Sequence, residues 1–226
     1  MGTLATLRAQ CRTLLASTAD WPDQALDAFI RDAVRFYSHE FPKRWRHTMA
    51  LVAGQQAYPL PAGAASVISV EYPASQRPPR FLERSSPWAP GFERGAAAYA
   101  LRGADDVTPA DAGVAEILFA ETVATGEQAA VDYFGLHTLP QAGGDPLTVP
   151  EHHWEALIAF VDFRCHWELE SDEAVSVTTV SVVLSQLGEN ARRAWNRYKE
   201  VVDRMQWAAA GASAVVEWDG IGGRVY

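Results

Sequence analysis

Residues 54–73, GQQAYPLPAGAASVISVEYP, mark the point at which the pattern of the chain changes. Before them apolar residues recur at helical spacing, and after them the period becomes two, which is typical of short strands. A strand around Tyr58, a turn at residues 62–64 and a second strand predict a β-hairpin. The stretch contains three prolines, which cannot donate ladder hydrogen bonds, so the hairpin is expected near a sheet edge. Three apolar residues share one face of the second strand: Ile68, Val70 and Tyr72.

Two helices are predicted before this stretch. Residues 4–15 place their apolar side chains on one helical face. The second helix opens at Asp20, a residue type that caps helices, and Pro42 ends it. Pro22 fits the first turn, where its missing N–H costs little.

The region after the second helix reads as a series of strands separated by turn-rich segments. Strands that follow one another through short loops favour an antiparallel sheet or small barrel over βαβ units. The candidate strands are residues 46–52, 65–72, 80–84, 97–101, 115–120 and 128–136.

Helical spacing returns near Thr148. Thr148 and Glu151 form a capping-box pattern for a helix that runs to about residue 170. That helix has two apolar stripes, which indicates packing on two sides, at a bundle centre or a subunit contact. A last helix follows over residues 180–207, and we expect Trp195 and Tyr198 to lie in its buried stripe.

The sequence therefore predicts an α+β fold, a helical bundle with an inserted antiparallel β-sheet or small barrel and an extended C-terminal tail. The N-terminal helices of the bundle occupy residues 1–43 and the β-rich insertion residues 44–147. Residues 148–207 complete the bundle, and residues 208–226 form the tail.

Composition narrows the class of function. The 226 residues are 48% hydrophobic with eight Trp, and the formal net charge is −9. An acidic chain of this kind lacks the basic surface of a general nucleic-acid binder. The two cysteines, Cys11 and Cys165, lie in helical patterns and read as small apolar residues of a reduced protein. No apolar run is long enough to span a membrane, so no membrane-spanning segment is expected.

Motifs for catalysis or cofactor binding are not found, and we predict no enzyme activity and no cofactor. One helix does bring together potential metal ligands: His152, His153, Glu155, Asp162 and His166. Asp162 and His166 have ligand spacing, but His153 is two and a half turns from Asp162, so the set does not converge and no metal is expected. Adjacent Cys165 and His166 point about 100° apart and form no dyad.

The order of several short motifs resembles that of head-to-tail adaptor (connector) proteins of tailed bacteriophages, over residues 18–205. The shared elements are a helix with a Trp-Pro start and aromatic end, a Gly-x-x-x-Tyr-x-Leu-Pro turn, a Glu-Tyr-Pro strand end, a Thr-Val-Pro helix start and a final helix ending in Tyr-Lys. In this chain they are Trp21-Pro22 to Phe36-Tyr37, Gly54 to Pro61, Glu71-Tyr72-Pro73, Thr148-Val149-Pro150 and Arg197-Tyr198-Lys199.

The resemblance implies a structural protein of the virion neck, made in the bacterial host cytoplasm. It implies a homo-oligomeric ring of about twelve copies beneath the portal protein, joined to a tail or nozzle protein, through which DNA passes without specific binding. Two alternatives stay open: another neck or tail-completion component, or an enzyme or small-ligand protein using His152, His153, Asp162 and His166.

The C-terminal tail is the predicted partner-binding segment. Residues 214–226 are too apolar for a solvated terminus. Ordering them alone would cost about 13–26 kcal/mol of backbone entropy, which is more than the roughly 9–18 kcal/mol that burial of their apolar side chains could return. We expect it to fold on a partner, as in adaptors whose C-terminal segment grips the portal. Its contact residues would be Val215, Val216, Trp218, Ile221, Arg224, Val225 and Tyr226.

Overall fold

A computed structural model describes residues 2–19, 21–89, 92, 97–102, 116–120, 123–175 and 181–221. The chain divides into two compact units. The helical unit comprises residues 1–41 and 137–226, and the β unit comprises residues 42–136. The chain thus leaves the helical unit once and returns to it once.

The β unit ends before the predicted boundary at residue 147. Leu147 is buried in the core of the helical unit, and its N–H donates to the Gly2 carbonyl (2.9 Å). The N–H of Leu4 in turn donates to the Asp145 carbonyl (3.2 Å). Residues 137–147 therefore belong to the helical unit, because the N-terminus pairs with them.

Four helices form the helical unit among the described residues: α1 (Leu4–Leu14), α2 (Asp23–Glu40), α3 (Trp154–Val175) and α4 (Ser181–Ile221). Thr3 caps α1 by accepting from the Thr6 N–H. The α2 helix begins at Asp23 directly after Pro22, without a side-chain cap, so Asp20 is not the cap expected from the sequence; Asp20 itself lies outside the described residues.

The predicted capping box at Thr148 is wrong. A 3₁₀ turn (Glu151–His153) intervenes before α3, and no side chain caps that turn. The Thr148 hydroxyl instead accepts from the Thr138 N–H (3.1 Å) and lies 3.0 Å from His137 Nδ1. The Thr-x-x-Glu pattern is thus matched in sequence but used for a tertiary contact.

The core of the helical unit is centred on α3, which packs against both α2 and α4. Its residues 156–161 are buried without interruption, as expected for a helix at the centre of a bundle. Tyr198 of α4 is buried as predicted, whereas Trp195 is only partly buried and packs at the margin of the core.

The last helix differs from the expectation of an extended tail. α4 continues past Trp207 to Ile221, so residues 208–221 are helical. The segment after Trp207 is rich in Ala, the residue with the highest helix propensity, which favours this continuation. Residues 222–226 lie outside the described part of the chain.

Seven described strands form the β unit: β1 (Lys43–Ala50), β2 (Ala57–Pro59), β3 (Ala64–Glu71), β4 (Glu83–Arg84), β5 (Ala98–Arg102), β6 (Glu116–Phe119) and β7 (Gln128–Gly135). One sheet has the order β1-β7-β3 and is antiparallel. The other has the order β2-β6-β5-β4, in which β4 and β5 are parallel.

The predicted hairpin of the opening stretch is wrong in its pairing. β2 and β3 are edge strands of different sheets, because β2 pairs with β6 and β3 with β7. The turn between them uses Gly63 at φ +81°, a conformation that favours glycine. The prolines do mark sheet edges, as expected.

An irregularity in β3 changes the predicted face. The register of β3 against β7 shifts between Val67 and Ser69. Val70 and Tyr72 are buried in the core of the β unit, whereas Ile68 is 40% exposed. A bulge inserts one residue into one strand, so the alternation read from the sequence fails across it.

Candidate docking surfaces

An apolar groove opens on the helical unit between α2, α3 and α4, with a volume of about 510 Å³. We call it the aromatic groove. Its lining residues are Phe36, Phe163, Trp167, Gly188, Ala191, Arg192 and Trp195.

Aromatic side chains build the walls of this groove. Phe163 lies between Trp195 (ring centroids 5.1 Å apart) and Trp167 (5.9 Å). The Phe36 ring lies 4.8 Å from the ring of Phe160 at an interplanar angle of 36°, and Phe160 is 1% exposed and belongs to the core beneath. Phe36 and Trp167 remain 50% and 48% exposed, which is high for residues this large. A contiguous exposed apolar surface of this kind is typical of an interaction site.

The sequence explains why the groove stays open. Phe163 and Trp167 are one turn apart on α3, so they extend its second apolar stripe. The facing positions on α4 are Gly188 and Ala191, whose small side chains leave the space unfilled. The second stripe of α3 is thus covered by α4 only in part.

Another exposed aromatic residue lies on the same unit, outside the groove. Trp207 of α4 is 80% exposed and does not line the aromatic groove. Asp203, one turn earlier and therefore on the same side of the helix, is also exposed. Sequence patterns did not single out Trp207, because a solitary Trp on a polar helix face gives no periodic signal.

Edge strand β1 carries a cluster of basic residues: Lys43, Arg44, Arg46 and His47. Arg46 forms an ion pair with Glu71, and Arg44 lies 3.0 Å from Asp132 Oδ2. Both carboxylates are buried, and the hydrogen bond from Arg46 holds the pKa of Glu71 below its ordinary value. The charges of Arg44 and Arg46 are therefore neutralised within the β unit, so these two residues do not favour a site for an acidic ligand.

The potential metal ligands have other partners. His153 Nδ1 bonds to the Tyr37 hydroxyl, and burial lowers the pKa of this histidine, with a smaller contribution from His152. Glu155 pairs with Arg204 at 2.7 Å. Asp162 accepts from Ser17 (2.6 Å) and lies 3.6 Å from His166. Within the described residues, no group of three potential ligands is placed to hold a metal ion.

The two thiols are also unsuited to chemistry. Cys11 and Cys165 are fully buried, and burial raises the pKa of each to about 12. Both thiols are therefore protonated at neutral pH and behave as core residues.

The predicted partner-binding residues fall at the end of the chain. Val215, Val216, Trp218 and Ile221 lie in the backbone of α4, and Arg224, Val225 and Tyr226 lie outside the described residues. The partner-binding residues predicted from the sequence include neither Trp207 nor any residue that lines the aromatic groove.

No helix among the described residues combines the length and apolar character needed to cross a lipid bilayer. The family model of the SU10 adaptor protein matches residues 2–214, which is nearly the whole chain. A search of curated proteins gives no match.

Proposed function

The chain belongs to the SU10 adaptor protein family of phage head-to-tail adaptors and is a structural component of the virion; from this premise we propose that it forms a ring between portal and tail. The ring would hold about twelve copies, as the sequence resemblance implies. The family match carries this proposal, and the exposed aromatic surfaces of the helical unit support it.

Ring closure requires that one surface of each copy meets a different surface of the next. The helical unit offers two such surfaces, the aromatic groove and the face of α4 that carries Trp207. Trp207 and the aromatic residues that line the groove are of the type that contributes most of the binding energy at protein interfaces.

The charge of the chain suits a passage for DNA. The net charge is −9, and the described Arg44 and Arg46 are paired with carboxylates. Tight, salt-dependent DNA binding depends on free Lys and Arg side chains that neutralise phosphates. A ring of such chains would let DNA slide through the neck without holding it.

We assign portal binding to the C-terminal segment and tail binding to another part of the ring. Val215, Val216, Trp218, Ile221, Arg224, Val225 and Tyr226 would contact the portal protein. Among the residues whose side chains the structure describes, Val202 is the last core residue of α4, and Met205 packs against it.

Electron microscopy of the protein mixed with the portal protein of the same virus tests the function. We expect ring-shaped density added to one end of the portal. A variant ending at Ala210 should keep its helical circular dichroism and lose the added ring, whereas Trp88→Ala, a change at an exposed residue of the β unit, should keep both. Failure of the full chain to bind the portal would contradict the adaptor function, and binding by the shortened chain would contradict the role of the segment.

A further inference from the structure

The aromatic groove is exposed and apolar along its walls but carries one cation. Arg192 lines it and is 69% exposed at its side chain, where it contacts Glu189 on the same helix (3.3 Å). The polar edge and apolar floor suit an aromatic side chain that brings a carboxylate with it. Large aromatic residues are typical of the centre of a specific interface, and opposite charges on the two partners add to its specificity.

The α4 helix itself presents such a pair. Trp207 is 80% exposed, and Asp203 lies one turn before it on the same side. Asp203 forms no ion pair with any residue that the structure describes. The pair therefore combines a large apolar side chain, which the groove could accommodate, with a negative charge opposite to that of Arg192.

Trp207 does not fill the groove of its own chain. It lies twelve residues after Trp195 on one continuous helix. At 1.5 Å and 100° per residue, the two positions are about 18 Å apart along the axis and about 120° apart around it. The indole can therefore occupy only the groove of another copy.

We propose that Trp207 of one copy inserts into the aromatic groove of the next copy, with Asp203 reaching Arg192 across the contact. The two surfaces differ, so the contact is heterologous and can repeat from copy to copy around a ring. This inference rests on the proposed ring and names the residues by which its neighbours meet. Trp88, the other Trp that is mostly exposed among the described residues, follows Ser86 and Pro87 rather than a carboxylate.

Cysteine cross-linking of the full chain tests the contact. Arg192→Cys and Asp203→Cys proteins are mixed at high concentration under mild oxidation, alone and on portal rings. The native thiols are buried and protonated, so they add no background. We expect a disulfide-linked heterodimer from the mixture and far less cross-linking from either variant alone. The matched control is Arg193→Cys with Asp203→Cys, because Arg193 is equally exposed but points about 100° away from Arg192.

Complementation gives an independent readout. Trp167→Glu blocks the groove and Trp207→Glu removes the inserted residue, and both positions are exposed enough for the fold to tolerate the change. Sedimentation should show at least about 10-fold weaker self-association for each variant alone, as for a central interface residue. Their mixture should form dimers, because it retains one intact groove and one intact Trp207, and Trp88→Ala should behave as wild type.

The outcomes separate this inference from the function. The contact would be overturned if rings formed on the portal but the Arg192→Cys and Asp203→Cys proteins gave no disulfide. It would also be overturned if the Trp207→Glu protein associated as strongly as wild type. Either result would leave the adaptor function standing. Equal cross-linking of the Arg193→Cys control would also overturn the contact. A specific cross-link in a protein that never binds a portal would support the contact and contradict the adaptor function.

Discussion

His137 Nε2 lies 3.1 Å from the carbonyl oxygen of Phe41, so the first residue after the β unit is bonded to the last residue before it. The carbonyl only accepts, so Nε2 carries the proton and Nδ1 accepts from the Thr148 hydroxyl at 3.0 Å. The His137 N–H donates to Ser38 Oγ (3.1 Å), and the residue is 6% exposed. One buried histidine therefore closes the helical unit across the insertion.

Replacing this histidine should destabilise the protein. His137→Ala leaves the Phe41 carbonyl and the Thr148 hydroxyl without this buried partner, which should lower the free energy of unfolding by about 1–3 kcal/mol. Urea denaturation followed by circular dichroism measures the change. His47→Ala, at an exposed position of β1, should shift it by less than about 0.5 kcal/mol. Equal effects of the two changes would show that the bridge contributes nothing.

Excision of the β unit should leave a folded helical protein. Residues 42–136 are removed and Phe41 is joined to His137 by a short Gly-Ser linker, which is feasible because the two residues are already in contact. No described residue of the excised segment belongs to the core of the helical unit. Circular dichroism and cooperative thermal unfolding check the result, and loss of helical signal would contradict the independence of the unit.

Two buried tyrosines should respond in opposite directions to loss of their hydroxyls. The Tyr198 hydroxyl is buried without a hydrogen-bond partner among the described residues, and burial raises its pKa to about 12. Tyr198→Phe should therefore raise the free energy of unfolding by about 1 kcal/mol. Tyr37→Phe removes the bond to His153 and should lower it by a similar amount. Urea denaturation of both variants decides, and destabilisation by Tyr198→Phe would show that its hydroxyl is satisfied.

The Glu71–Arg46 pair should make stability depend on acid. Its hydrogen bond lowers the pKa of Glu71 from the ordinary value of 4.5. A lowered carboxyl pKa stabilises the fold above pH 4.5, and this contribution is lost as the pH falls through the folded-state value. Glu71→Gln should be less stable than wild type at neutral pH, with the gap narrowing as the pH falls below the ordinary carboxyl value. The urea midpoints of wild type and Glu71→Gln, determined at several pH values from neutral to below the ordinary carboxyl pKa, measure this difference in stability. The change Glu200→Gln, at an exposed position, serves as control. A difference that stays constant with pH would exclude the linkage.

Packing in the helical unit should separate core from groove. Phe160 is 1% exposed, and Phe160→Ala should cost about 3–5 kcal/mol of unfolding free energy. Trp195 is only partly buried beside the aromatic groove, so Trp195→Ala should cost roughly half as much. Chemical denaturation ranks the two. A larger effect at Trp195 would place it in the core, as the sequence pattern had indicated, rather than at the groove margin.

Local periodicity in the sequence was enough to predict the kinds of element and their order. The change of period near Gly54 predicted the β insertion, and the helical spacing of residues 4–15 predicted the buried face of α1, which carries Leu4, Leu7 and Cys11. These signals are local, because periodicity follows directly from the geometry of one helix or strand. The motif order also pointed to the family that the matching model identifies.

Which elements meet, and which side chains stay exposed, depends on the packing of the whole chain. β2 and β3 are neighbours in sequence yet belong to different sheets, since their pairing depends on β6 and β7, which lie far along the chain. Thr148 fits a capping pattern but serves His137. The aromatic groove exists because Gly188 and Ala191 of α4 face Phe163 of α3, a relation between helices that no single helical pattern contains. Local spacing defines a face of one element, whereas a surface made by three elements is set by their packing.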